Sequence, residues 1–229
     1  ESQKPKIAMY VKRPFGEKLN ASFDFLKENW KLLLKFTTYL LLPLCLIQAL
    51  SLNGLMSGAL SISAIASSTA MAASSSSLIA FGSYYGLYMF LYLIGIILLT
   101  SLVYGLIRTY NEREERLQGV TLGMLKPRLF RNIKRLLLMT GACILLVLFV
   151  GIFVGLLVAL TPFTLFLTIP FIIAFSVPLA LLAPIYLFED ITLMEAFKKT
   201  FRLGFATWGG VFLVSLLMGI IANVLQGVT

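Results

Sequence analysis

The sequence predicts an all-α membrane protein: a bundle of transmembrane helices, five in these 229 residues and six in the natural chain, with amphipathic helices at the cytoplasmic surface. Three observations carry this. The first is composition, with 59% of residues hydrophobic, 13% charged and a mean hydropathy of +0.93. A soluble domain carries about 25% charged residues, so half that share points to the membrane class before any motif is sought. The second is that every Lys, Arg, Asp and Glu falls in one of three blocks, Glu1–Lys35, Arg108–Arg135 and Glu189–Arg202. The third is the length of the uncharged stretches after these blocks, 72, 53 and 27 residues. A helix needs about 20 residues to cross a hydrocarbon core roughly 30 Å thick.

The elements follow in order. The first stretch holds two spans, 32–53 and 84–107. The uncharged Ser/Ala-rich segment Ser57–Ser83 between them reads as a flexible or partly helical cap. The second stretch holds 136–159 and 163–187 around a tight turn, and the third holds 208–228. The basic region ahead of the first span is long and amphipathic. The span itself runs about 20 residues, against roughly 7–15 in a cleavable signal, so it reads as a retained helix. Each pair of spans returns the chain to its starting side, which puts all three charged blocks on one face. Lys and Arg number 8, 8 and 3 in the blocks and Asp and Glu 4, 3 and 3. The basic excess makes that face cytoplasmic; the neutral third block follows by parity. Five spans would leave Thr229 outside, so a sixth apolar helix is expected beyond it.

The blocks carry helical patterns of their own. Leu19, Phe23, Leu26 and Trp30 fall on one helical face, with Lys27, Glu28, Lys31 and Lys35 toward the other, which reads as an interfacial helix leading into the first span. Ser22-Phe23 with Trp30 is echoed by Thr200-Phe201 with Trp208 at the same spacing, each ahead of an apolar run. Leu125, Leu129, Ile133 and Leu136 repeat the pattern loosely in the second block, where Pro127 suits a first helical turn. These echoes suggest three units of amphipathic helix plus hairpin within one membrane domain (residues 1–229), at 15–110, 111–188 and an incomplete 189–229.

Arg13-Pro14-Phe15-Gly16-Glu17-Lys18-Leu19 with Ser22-Phe23 and Pro43, and the stretch Phe188–Phe201 with its acidic turn Glu189-Asp190, resemble a broad set of bacterial polytopic proteins. That set includes the YciC-like proteins and the membrane domain attached to some glycerophosphodiester phosphodiesterases. The nearest likeness is to hypothetical membrane proteins of Bacteroidetes-type bacteria. The resemblance implies a bacterial inner-membrane protein of about six helices and implies no activity.

Chemistry-bearing groups are sparse. There is no histidine, and Cys45 and Cys143 both lie in apolar runs, where each reads as a small packing residue. Neither a catalytic, a cofactor-binding nor a metal-ligating constellation is present, and apart from Lys35 at the entry of the first no expected span holds an Asp, Glu, Lys, Arg or His, which argues against an ion-driven pump. The acidic turn Glu189-Asp190 reads as a helix start, with Asp190 or Thr192 as the cap. Residues 111–116 read as a solvated helix extension. Lys126, Arg128, Arg131, Lys134 and Arg135 form a juxtamembrane basic cluster. Its expected partner is anionic lipid of the bilayer and not nucleic acid. Pro162, Pro170, Pro178 and Pro184 crowd the fourth span; with Thr168 and Ser176 they make it the candidate pathway, at Thr168, Pro170, Ser176 and Pro178. Gly151-x-x-x-Gly155 is the G-x-x-x-G pair fully inside a span and could seat another helix.

The reading is of a non-catalytic, multi-pass bacterial inner-membrane protein, an accessory or scaffold subunit of a larger envelope complex. Its partners are other membrane proteins, its N-terminus is cytoplasmic and it needs no cofactor. Phe23, Trp30, Phe197, Phe201 and Trp208 are the candidate interface. The alternative is a passive transporter or lipid-handling protein working along the proline-rich fourth helix.

Overall fold

The computed structural model describes residues 5–8, 11–66 and 74–228, with the backbone alone for 61–66 and 74–77. It is all-helical: α1 (Phe15–Ala66), α2 (Ser74–Glu112), α3 (Leu122–Leu160), α4 (Thr164–Leu179), α5 (Leu182–Phe188), α6 (Leu193–Ala206) and α7 (Trp208–Val228), with no strand among the described residues. Among the described residues, five helical stretches are long and apolar enough to cross a membrane: Phe15–Leu60, Leu78–Glu112, Leu122–Leu160, Thr164–Phe188 and Trp208–Val228. Each contains one expected span, or most of it.

Two local expectations change, at 111–116 and at Pro127, and two are made more definite. The interfacial helix of the first block does not break before the span; α1 runs through both for 52 residues, about 78 Å at 1.5 Å per residue. The segment Lys27–Lys35 contains neither Gly nor Pro, so nothing ends the helix there. The Ser57–Ser83 cap is mostly helix, because α1 and α2 extend into it and only 67–73 lie outside the described residues. The helix extension expected at 111–116 stops at Glu112, and turns carry the chain through Arg116 (φ 57°) and Gly119 (φ 68°). Glycine adopts that left-handed geometry without a Cβ penalty. Pro127 lies past the first turn of α3, whose start is made by the Thr121 carbonyl accepting from the Met124 and Leu125 amides.

The chain forms two compact units: Glu1–Val11 with Leu19–Ile133, and Lys12–Lys18 with Lys134–Thr229. In the first, Phe25 and Phe36 of α1, Leu102, Leu106 and Tyr110 of α2, Leu117 and Val120 of the turn, and Leu125 of α3 make the core. Leu102, Leu106 and Tyr110 recur every fourth residue, one stripe of a helix. Beside them Ser101, Gly105 and Thr109 form a second stripe of small residues that admits α3. There Asn132 Nδ2 donates to the Ser101 carbonyl (3.2 Å), and Arg128 donates to Thr109 Oγ1 (3.1 Å). Nearer the other end, Gly54 and Gly58 of α1 seat Tyr84 and Phe81 of α2. A Cβ on Gly54 would lie 2.5 Å from Tyr84 Cε1, and one on Gly58 3.6 Å from Phe81. Small residues set close approach between helices where apolar burial gives little drive, as in lipid.

In the second unit α6 packs on α4 and α5, and α7 on α4. The core is Leu182, Tyr186 and Ala196, with Met139 and Cys143 of α3 against it. Cys143 is thus a packing residue, whereas Cys45 of α1 is exposed. Gly151 and Gly155 seat no helix among the described residues, where a Cβ at either meets nothing within 4 Å. The G-x-x-x-G pair that packs is Gly54–Gly58. Residues 144–150 of α3 are exposed throughout, and α7 buries none of its residues. Apolar faces of that extent suit contact with acyl chains.

Candidate functional site

The polar groups of each unit gather into a node. In the first unit, the node is Glu28 of α1. One of its carboxylate oxygens accepts from Arg116 (2.7 Å) and the other from the Tyr110 hydroxyl (3.1 Å). The Ile7 amide donates to that hydroxyl (3.4 Å), and the Tyr110 ring meets Phe25 edge-on at 5.2 Å. Lys6 Nζ donates to the Asn111 (2.7 Å) and Arg113 (3.1 Å) carbonyls at the end of α2, where a cation complements the helix dipole. Glu28 also holds the Arg116 guanidinium above its usual pKa. Arg128 pairs with Glu112, which also accepts from Arg108 (3.0 Å).

In the second unit, the node is Arg135 of α3. Its guanidinium donates to the Ile191 carbonyl (2.6 Å), lies 3.7 Å from the Asp190 carboxylate and stacks 4.2 Å from the centre of the Tyr186 ring. Thr192 and Glu195 form a reciprocal capping box at the start of α6. The cap is therefore Thr192, while Asp190, in the left-handed region at φ 54°, turns to Arg135 and Glu189 pairs with Lys199.

The candidate residues divide accordingly. Within the basic cluster Arg128 and Arg135 are held by protein partners, while Lys126, Arg131 and Lys134 are exposed. Within the candidate interface, Phe23 is 47% and Trp30 55% exposed, on the side of α1 opposite Phe25, Asn29 and Phe36. Phe197 packs on the core of the second unit, and Phe201 meets Phe175 edge-on and stacks on Phe205. The Trp208 indole N–H donates to the Ala174 carbonyl (3.1 Å). That carbonyl would ordinarily accept from residue 178, which is proline and has no N–H, so Trp208 supplies the missing donor.

The pathway candidates do not converge on a polar track. The Thr168 hydroxyl donates to the Thr164 carbonyl (2.7 Å) and the Ser176 hydroxyl to the Ile173 carbonyl (3.0 Å), both within α4. Pro170 and Ser176 are exposed, and Pro178 is buried against Gly204 of α6. Sequence reasoning missed Glu28, Tyr110, Arg116 and the Ser101–Gly105–Thr109 stripe. The stripe had a visible signal, three small residues at fourfold spacing in an otherwise bulky helix. The Glu28–Arg116 pair, 88 residues apart, had none.

No protein-family model, no curated protein and no solved structure matches this chain. What stands is the class: an all-helical protein with five helices fit to cross a membrane.

Proposed function

We propose that the protein is a non-catalytic, multi-pass subunit of the bacterial inner membrane, N-terminus cytoplasmic, that holds other membrane proteins in a larger envelope complex. The observation that carries this reading is the exposed aromatic face of α1, Phe23, Leu26 and Trp30, on a helix whose opposite face is buried. It lies in the charged segment, where exposed aromatics otherwise mark contact surfaces. The polar groups of the same unit support it, because Glu28, Tyr110 and Arg128 are engaged within the protein and hold the fold. The transport alternative has less support, since the Thr168 and Ser176 hydroxyls are taken up by their own helix.

The test is affinity purification from native membranes in mild detergent, read by mass spectrometry. A stoichiometric membrane-protein partner, lost when Phe23 and Trp30 are both changed to Ala while the chain stays folded, is the expected result. Recovery of the chain alone at normal expression would overturn the reading.

A further inference from the structure

Lys27, Lys31 and Lys35 stand at fourfold spacing on α1, and none of the three forms an ion pair among the described residues. Like charges one turn apart repel. The acid within the row, Glu28, pairs with Arg116 and accepts from Tyr110. Beside the row, between α1 and the turn after α2, lies a cavity of about 380 Å³ lined by residues 28–32 of α1, Glu28 among them, and by Arg116, Leu117 and Gln118. Its chemistry is split. Leu32, Leu117 and the Trp30 ring supply an apolar side, while the Lys31 ammonium, 5.9 Å from the centre of the Trp30 ring, and the Gln118 amide supply donors. Trp30 also begins the apolar run of α1, the level at which an interfacial tryptophan meets headgroups.

We propose that this cavity holds the phosphate of one membrane phospholipid, with Lys31 as its counter-charge, Gln118 as a further donor, and Trp30 and Leu32 against the glycerol and the first acyl carbons. A phospholipid fits better than a soluble anion, because Trp30, Leu32 and Leu117 make part of the lining apolar, and with Glu28 paired to Arg116 the charge left to meet a phosphate is that of Lys31. The site differs from the basic cluster on α3.

The test uses the full chain in detergent micelles titrated with phosphatidylglycerol, with bound lipid counted by native mass spectrometry. Wild type is expected to retain one lipid. Lys31→Ala should weaken retention about fivefold, the effect of one basic residue near an anionic lipid, and Lys31→Glu should weaken it further. Gln118→Ala should weaken it by a smaller factor, and Lys126→Ala should leave it unchanged. Lys31 is exposed and in no ion pair, so these variants keep the fold, which circular dichroism checks. Equal retention by wild type and Lys31→Glu would overturn the proposal. So would displacement of the lipid by soluble glycerol phosphate, which would mark the cavity as a site for a soluble anion.

Discussion

Gly204 of α6 is the most sharply testable contact in the second unit. A Cβ there would lie 2.7 Å from Pro178 Cα, 3.1 Å from its Cγ and closer still to its Cβ. Carbon atoms pack best at about 3.5–4.0 Å, so α6 would have to retreat from α4 by roughly 1 Å to admit one methyl group. The obstacle is backbone and a rigid ring, which cannot swing aside. Overpacking of this kind costs about 1–3 kcal/mol. Against it stands the helix-propensity gain of Gly→Ala, about 1 kcal/mol. The net for Gly204→Ala is thus a loss of about 0–2 kcal/mol. Gly204→Leu adds further carbons with no further propensity gain, and should lose more. The assay is unfolding in mixed micelles of mild detergent and SDS, followed by tryptophan fluorescence, because Trp208 reports on the packing of α7 against α4.

An internal control separates the contact from propensity. A Cβ on Gly151 or Gly155 of α3 meets nothing within 4 Å among the described residues, so Ala at either position should leave stability unchanged or raised. If Gly204→Leu unfolds at the same SDS fraction as wild type, or Gly204→Ala gains stability as Gly151→Ala does, the close approach of α6 to α4 is wrong.

Two further outcomes follow from the nodes. Trp208→Phe keeps the ring that stacks on Phe212 at 5.0 Å but leaves the Ala174 carbonyl without its indole donor, and should cost about 1 kcal/mol in the same unfolding assay; a second change, Pro178→Ala, restores an N–H at the usual position and should make the loss smaller. Arg135→Ala removes the donor to Ile191 and the partner of Asp190, and should cost about 2 kcal/mol, with Arg135→Lys recovering less than half because Lys has neither the planar fork nor the flat face for Tyr186; full recovery by Lys would show that charge alone matters there.

How far the sequence could be read depended on the range of the interaction. The spans were legible because hydropathy and charge are summed over 20 residues, and no single contact can overturn such a sum. Helix ends were less so. Ser and Ala let α1 and α2 run on toward 67–73, and what favours their pairing there is the fit of Tyr84 and Phe81 into Gly54 and Gly58, which depends on the facing helix. The face of α1 bearing Phe23, Leu26 and Trp30 was correctly seen as one side of a helix. Which side is buried was decided elsewhere, by Leu102, Leu106 and Tyr110 of α2, and they take Phe25 and Phe36.

The charged residues were the hardest to read. As an orientation signal, Lys and Arg are equivalent and only their count matters. The fold separates them by position and by chemistry. Leu125, Asn132 and Leu136 mark the buried side of α3, and Arg128 and Arg135, a turn or less from them, reach Thr109, Glu112, Ile191 and Asp190. Lys126 and Lys134 fall on the exposed side. Arg128 and Arg135 use the guanidinium fork, which can meet several acceptors at once; Arg131 is exposed like the two lysines, so position divides the block as much as residue type does. A basic block beside a span can therefore serve two purposes on one helix, and the side of the helix tells them apart better than the block's net charge does.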